Sequence, residues 1–317
     1  MTVKPALRLF PRALLIGIAV CLAATSAQPA TPDEKGTTMT ATPVVEKVAD
    51  NLVFPEGPVW HPDGFLLFSD VHGATIERLR PEGGTVTWFD RGRKTNGLIM
   101  SNEGRHIYAC CYSDFEMLRI DARTGHYDVL TSSYEGRRYN NVNDVAIDAR
   151  GNVFFTDPKW NPRPEDIQGV YRIATDGTVK RVVTTTDQPN GLVVSPDQKW
   201  LYLARSGKHD IMRFALDANG DLDEGTVWLK LDDGDNPDGM TIDSRGNLYI
   251  AQYVTGNVRV ASPDGRTLLT IPIAPRTTNC EFEPGTEERV LYVTCGGSGE
   301  GRRDGGVWRV TLPEGAF

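Results

Sequence analysis

Six oxygen-bearing side chains recur along this chain at near-regular spacing. They are Glu56, Asn96, Asn143, Asn190, Asp238 and Asn279, separated by 40, 47, 47, 48 and 41 residues. Each opens nearly the same phrase: EGPVWHPDGFLLFSD, NGLIMSNEGRHIYACC, NDVAIDARGNVFFTD, NGLVVSPDQKWLYLAR, DGMTIDSRGNLYIAQ and NCEFEPGTEERVLYVTC. Carboxylate and amide oxygens together are the donor set of a hard divalent cation. With only two formal anions in the set, Glu56 and Asp238, such an ion keeps residual positive charge and can polarise a carbonyl. Other chemistries find little support. No Gly-x-Ser-x-Gly elbow, CxxC pair or Cys/His zinc spacing occurs, and the five histidines are scattered.

Bringing six such residues together requires a repeating architecture. The stretch from Asn143 to Asp157 reads as an inner β-strand, a tight turn at Asp148–Asn152 and a returning strand. Between successive copies lie two more strand-like runs, for example Val170–Ala174 and Val179–Thr185, Ile211–Leu216 and Thr226–Leu231, or Asn257–Ser262 and Thr267–Pro272. Asp176-Gly177, Asn219-Gly220 and Asp264-Gly265 supply the positive φ that tight hairpins need. Four short strands repeated at ~40–50 residues are the signature of a β-propeller. The chain is therefore read as all-β, a six-bladed propeller with four antiparallel strands per blade. Equivalent positions then form a ring about the axis. The amphipathic stretch Pro43–Leu52 precedes the first repeat, and Val307–Leu312 follows the last. Pairing them in the last blade closes the ring without exposed edge strands. The last residues of the returning strands, Asp70, Cys111, Asp157, Arg205, Gln252 and Cys295, are expected on the same face one layer out, bonded to loop backbones. Lys159–Gln168, with Pro162 and Pro164, reads as a loop.

The chain opens with a basic segment carrying Lys4, Arg8 and Arg12, an apolar run at Ala13–Ala24 and small residues at Thr25-Ser26-Ala27. This pattern predicts a secretory signal over 1–27, a flexible leader over 28–42 and the propeller over 43–317, with export to the periplasm or the medium. The apolar run is short for a membrane span. Removing the three leader cations takes the formal charge from −8 to about −11, which argues against nucleic acid or an anionic membrane surface as partner. Cys110 and Cys111 are strand neighbours and point to opposite faces. Cys280 and Cys295 lie on two arms of one hairpin, where a cross-strand disulfide would be strained, so buried free thiols are expected.

FPEGPVW (Phe54–Trp60), RYNNVNDVAID (Arg138–Asp148), FFTDP (Phe154–Pro158), PNGLVVSPD (Pro189–Asp197) and NPDGMTID (Asn236–Asp243) resemble the superfamily of senescence marker protein, gluconolactonase and luciferin-regenerating enzyme. The resemblance covers roughly Val44 to Leu312, and it implies a divalent ion on the propeller axis held by Glu56, Asn143, Asn190 and Asp238. Calcium is the expected ion, with zinc, manganese, magnesium and ferrous iron as alternatives. Arg138 and Asn140 match the Arg-x-Asn that contacts substrate in bacterial members. Asn96 and Asn279, which the family pattern does not require as ligands, are read as further substrate contacts. The chain departs from many relatives in carrying Val142 where they have Pro.

The expected activity is hydrolysis of a small-molecule lactone, with Asp238 as both ligand and general base. The polar stretches YEGRRYNN and KWNPRPED favour sugar aldonolactones. Phosphotriester or aryl-ester hydrolysis at the same ion, and a non-catalytic ligand-binding propeller, are the competing readings.

Overall fold

The structure is a computed structural model that describes residues 42–160, 167–185, 187–231, 234–299 and 301–316. The expected signal segment 1–27, nearly all of the expected leader 28–42, and residues 161–166 of the expected Lys159–Gln168 loop lie outside the described residues.

The turn-forming sequences close their hairpins through side chains. Asp148 Oδ1 accepts from the backbone N–H of Arg150 (2.9 Å) and Asn152 (2.8 Å), while Oδ2 accepts from the Asn152 amide (2.7 Å). Asp243 repeats the arrangement with Arg245 and Asn247. Such self-bonding Asp and Asn side chains replace the backbone partners that a turn leaves open.

The strands assemble into six antiparallel sheets of four, which makes the molecule a six-bladed β-propeller. Blade 3 illustrates the order outward from the axis: Val145–Ile147, Val153–Asp157, Gln168–Ile173 and Val179–Thr185. Inner strands are buried on both faces, as in Pro55–His61, whereas outer strands such as Thr85–Phe89 are largely exposed. The apolar core lies between blades. Val59, Leu67, Leu98 and Ile107 join blades 1 and 2, and Phe154, Val170, Leu192 and Leu201 join blades 3 and 4. Cys110 and Cys111 fall into different inter-blade cores, as strand alternation requires. All four cysteines in the described residues are buried free thiols. Cys280 stands opposite Val293 and Cys295 opposite Thr277, so register keeps that hairpin's two sulfurs in different cross-strand pairs.

Closure follows the expected route. Val44–Leu52 is the outermost strand of blade 6, paired antiparallel with Gly305–Thr311 from Val44↔Thr311 to Leu52↔Gly305. Thr278 Oγ1 donates to the Pro55 carbonyl at 2.8 Å and ties blade 6 to blade 1 on the inner strands. Two elements go beyond the four-strand scheme. A short hairpin, Ser133–Tyr134 with Arg137–Arg138, links blades 2 and 3 through a turn in which Glu135 and Gly136 both have positive φ (49° and 77°). A single 3-10 turn, Ser206–Lys208, follows the second strand of blade 4.

The inner strands crowd the axis. Four ring residues are each followed by glycine, and there the strand register shifts: Glu56-Gly57, Asn96-Gly97, Asn190-Gly191 and Asp238-Gly239. A Cβ on Gly57 would collide with the carbonyl oxygen of Asn96, and one on Gly191 with that of Asp238. Glycine is thus required where one inner strand meets the next ring residue.

Two stability outcomes follow. Deleting residues 43–52 exposes the edge of Gly305–Thr311 and removes buried Ala49 and Leu52 from their core. The thermal midpoint should drop by more than about 5 °C, and an unchanged melt would show that closure is made elsewhere. Gly191→Ala should cost about 1–3 kcal/mol by overpacking. A wild-type denaturation midpoint in this variant would show that the axis has room for a methyl group.

Candidate functional site

Five of the six ring residues, Glu56, Asn96, Asn143, Asn190 and Asp238, line one cavity of about 250 Å³. Each sits at or just before the start of an inner strand and is buried, with Glu56 4% and Asp238 8% exposed. Glu56 Oε2 accepts from the Gly57 N–H at 3.2 Å. Ser206 donates its hydroxyl proton to the Pro237 carbonyl (2.7 Å) and so accepts from the Asn190 amide nitrogen (3.1 Å), which leaves Asn190 Oδ1 for the axis. Among the described residues no protein group hydrogen-bonds the side chains of Asn96 or Asn143.

The electrostatics of this floor are unfavourable for protein alone. Burial, reinforced by Asp238 and Asp144, pushes the Glu56 carboxyl well above the usual range. Burial and then Asp144 do the same to Asp238, against hydrogen bonds from Asn190 and the Gly239 N–H. Asp144, one residue beyond the ring, is raised by burial to about 7. Among the described residues no lysine or arginine lines the cavity. Three carboxyls in a desolvated axis ionise together only if a cation joins them. Among the described residues, no three His, Cys, Asp and Glu side chains form a metal cluster. An ion here would therefore use Glu56 and Asp238 with the amide oxygens of Asn143 and Asn190, a set that suits a hard oxygen-seeking cation.

With that geometry in place, comparison with known proteins places the fold. The profile of the SMP-30/Gluconolactonase/LRE-like region matches residues 54–297. The chain belongs to this family. It is 29% identical over 290 residues to the gluconolactonase of Zymomonas mobilis, covering 79% of this chain and 78% of that protein. It is 26% identical over 311 residues to lactonase drp35 of Staphylococcus epidermidis, covering 90% and 91% of the two chains. The solved structure of a Xanthomonas campestris gluconolactonase superposes with a TM-score of 0.74 at 27% identity, covering 86% of this chain and 90% of that one.

Within this family member, three residues read as substrate contacts are not in the axial cavity. Asn279 lies in the channel below the ring, where its Oδ1 accepts from the Cys280 N–H (2.8 Å) and its amide bonds Glu56 and Asp144 from beneath. The Asn140 amide donates to Asp157 (3.0 Å) and to the Ile167 carbonyl (2.7 Å). Arg138, on the added hairpin, donates to the Asp114 carbonyl (2.9 Å) and lies over the Phe115 ring at 4.3 Å. Arg138 and Asn140 line a separate pocket with Arg137, Tyr171 and Arg181. The polar stretch YEGRRYNN, read as favouring a sugar, thus faces that pocket.

The second ring is an anchor layer. Asp70 accepts from the backbone of Val53 (3.0 Å) and Phe54 (2.7 Å), and Asp157 from Asn140 (2.7 Å) and Asn141 (2.8 Å). The other four members bond side chains instead: Arg205 pairs with Asp210 and Asp187, Gln252 donates to Asp235, Cys111 meets Asp114, and Cys295 meets the Thr277 hydroxyl.

Sequence reasoning missed the cavity wall, formed by Phe54, Val71, His72, Tyr112, Trp160 and Tyr253. A signal existed. Val71, Tyr112, Ser206 and Tyr253 each immediately follow a second-ring residue, so the same alignment that finds two rings locates a third.

Glu281, in the channel below, is raised by burial to about 7. An acid with a raised folded pKa keeps its proton longer in the native state, so stability falls as pH rises between the unfolded and folded values. Ion-free protein should therefore melt progressively lower from pH 4.5 to about 7. Glu281→Gln should flatten part of that slope. An unaltered slope in the variant would show that Glu281 is not held protonated.

Proposed function

We propose that this protein is a divalent-ion-dependent lactonase, with calcium as the ion to test first. The observation that carries the reading is the placement of Glu56 and Asp238 beside the amides of Asn143 and Asn190, at the floor of an axial cavity that no lysine or arginine lines among the described residues. The relatives named gluconolactonase and lactonase support lactone hydrolysis as the reaction. The basic, apolar and small-residue pattern of 1–27 supports work outside the cytoplasm.

Glu56, Asn143, Asn190 and Asp238 would hold the ion. When bound it supplies Lewis acidity toward the lactone carbonyl. The chain's own residues do the rest. The half-buried wall excludes bulk water and strengthens electrostatic interactions at the floor. Asn96, with its amide unbonded by protein, offers a donor or acceptor to the ester. Asp238 accepts a proton from the water that attacks the carbonyl carbon. The ring C–O bond then breaks, and the leaving oxygen takes that proton to give the hydroxy acid. Ser206 keeps the Asn190 amide oriented, and Gly239 N–H steadies the Asp238 carboxylate.

Glu56→Gln keeps shape and removes one ligand charge, so calcium affinity in chelator-stripped protein should fall about tenfold or more by calorimetry. Wild-type affinity in this variant would remove Glu56 from the site. Asp238→Asn keeps a coordinating oxygen and loses the proton acceptor. With ion occupancy saturated, kcat on δ-gluconolactone should fall ~100-fold or more. A kcat within a few-fold of wild type would leave Asp238 as a ligand alone.

A further inference from the structure

The wall of the axial cavity differs in character from its floor. Phe54, Tyr112, Trp160 and Tyr253 are half-buried aromatics that line it together with buried Val71. They come from four different loop regions around the axis, at the tops of blades 1, 2, 3 and 5. Three wall positions are fixed through their backbones. Val71 N–H donates to the Phe54 carbonyl (3.0 Å), Tyr112 N–H to Lys94 (2.8 Å) and Tyr253 N–H to Asn236 (3.0 Å). The His72 ring packs edge-on against Phe54 at 5.2 Å and extends the same surface.

Among the described residues the polar groups of this wall include Asn236, His72, Ser206 and the hydroxyls of Tyr112 and Tyr253, set among larger apolar faces. The Ser206 hydroxyl is already bonded on both sides, to Pro237 and Asn190. The Tyr253 hydroxyl is engaged by Arg276. Arg138 and Asn140, which would answer a sugar's hydroxyls, are held in the neighbouring pocket by Asp114, Phe115 and Asp157. A polyhydroxylated lactone carries several donor–acceptor groups that must each exchange water for a protein partner. One left unpaired weakens binding roughly tenfold or more. Apolar substituents gain instead, at roughly tenfold or more per well-seated methylene.

We propose that the preferred substrate is a lactone bearing an apolar substituent, seated against Phe54, Tyr112, Trp160 and Tyr253 with its carbonyl at the axial floor, in preference to a polyhydroxylated aldonolactone. This rests on the lactonase reading and narrows its substrate class. The aromatic wall sets specificity, and the floor performs the hydrolysis.

The test uses the full chain with saturating calcium. Proton release gives kcat/KM for δ-gluconolactone, unsubstituted δ-valerolactone and δ-decalactone, whose ring carries a five-carbon chain, each divided by its hydroxide-catalysed rate. The expected order places δ-decalactone at least tenfold above both others. Trp160→Asn and Tyr112→Asn should each lower the decalactone-to-gluconolactone ratio tenfold or more. Trp160→Phe, which keeps an apolar ring, should retain most of the ratio and show that the fold tolerates change there. A corrected preference for δ-gluconolactone, or a ratio unmoved by the Asn substitutions, overturns the specificity assignment and leaves lactone hydrolysis standing. Turnover of none of the three lactones above the hydroxide rate overturns both readings.

Discussion

The arrangement at the axis depends on one constraint: at four of the six inner strands the residue after the ring meets its neighbour too closely for a side chain. Glycine follows four of the ring residues because a Cβ there would occupy the space of the next strand's backbone or ring side chain. That closeness brings Glu56, Asp238 and Asp144 into one desolvated column, and burial raises all three carboxyl pKa values. The protein therefore builds a site that is electrostatically unfavourable when ionised and open to a cation at its top. Buried like charges of this kind are stabilised by a counter-ion or by protons. The channel beneath, with Asn279 bonding Glu56 and Asp144, holds the column from below.

The layers around that column divide the work. Second-ring side chains clamp the loops: Asp70 holds the backbone before Glu56, and Asp157 holds the backbone before Asn143. These clamps draw on residues 16 or 17 positions away, so each loop is set by its own blade's hairpin. Above them Tyr112 and Tyr253 of the third layer present aromatic faces, joined by Phe54 and Trp160. In blade 4 the equivalent position is Ser206, whose hydroxyl links Asn190 of its own blade to Pro237 of the next. Floor and wall thus differ in character, with carboxylates and amides below and apolar faces above.

The repeat, the fold class, the closing strand and the axial ring were legible in the amino-acid sequence, because propeller geometry converts sequence periodicity directly into rotational position. Once the period is known, equivalent residues share a radius and a face. The turn chemistry was equally local, since Asp148 and Asn152 bond within a few positions of each other. Free, buried cysteines followed from strand alternation and hairpin register.

Only the tertiary structure decided where the inter-blade loops go, because their partners lie on other strands and no period governs them. Arg138 sits on a hairpin whose Glu-Gly turn lacks the Asn-Gly or Asp-Gly signature, and its guanidinium is drawn to Asp114 and Phe115 of the preceding blade. Asn140 is committed to Asp157, and Asn279 falls on the channel side of the ring because it is the third residue of its strand, Thr277–Phe282, where Glu56, Asn96, Asn190 and Asp238 are each the second of theirs. Part of the wall is periodic, since Val71, Tyr112 and Tyr253 each follow a second-ring residue, but Phe54 and Trp160 stand outside that period and join them as one surface only when the ring closes. Sequence by itself determined five of the six ring positions, since symmetry places them, while Asn279 fell below the ring. Packing between non-equivalent loops, which symmetry does not control, decided what surrounds that ring.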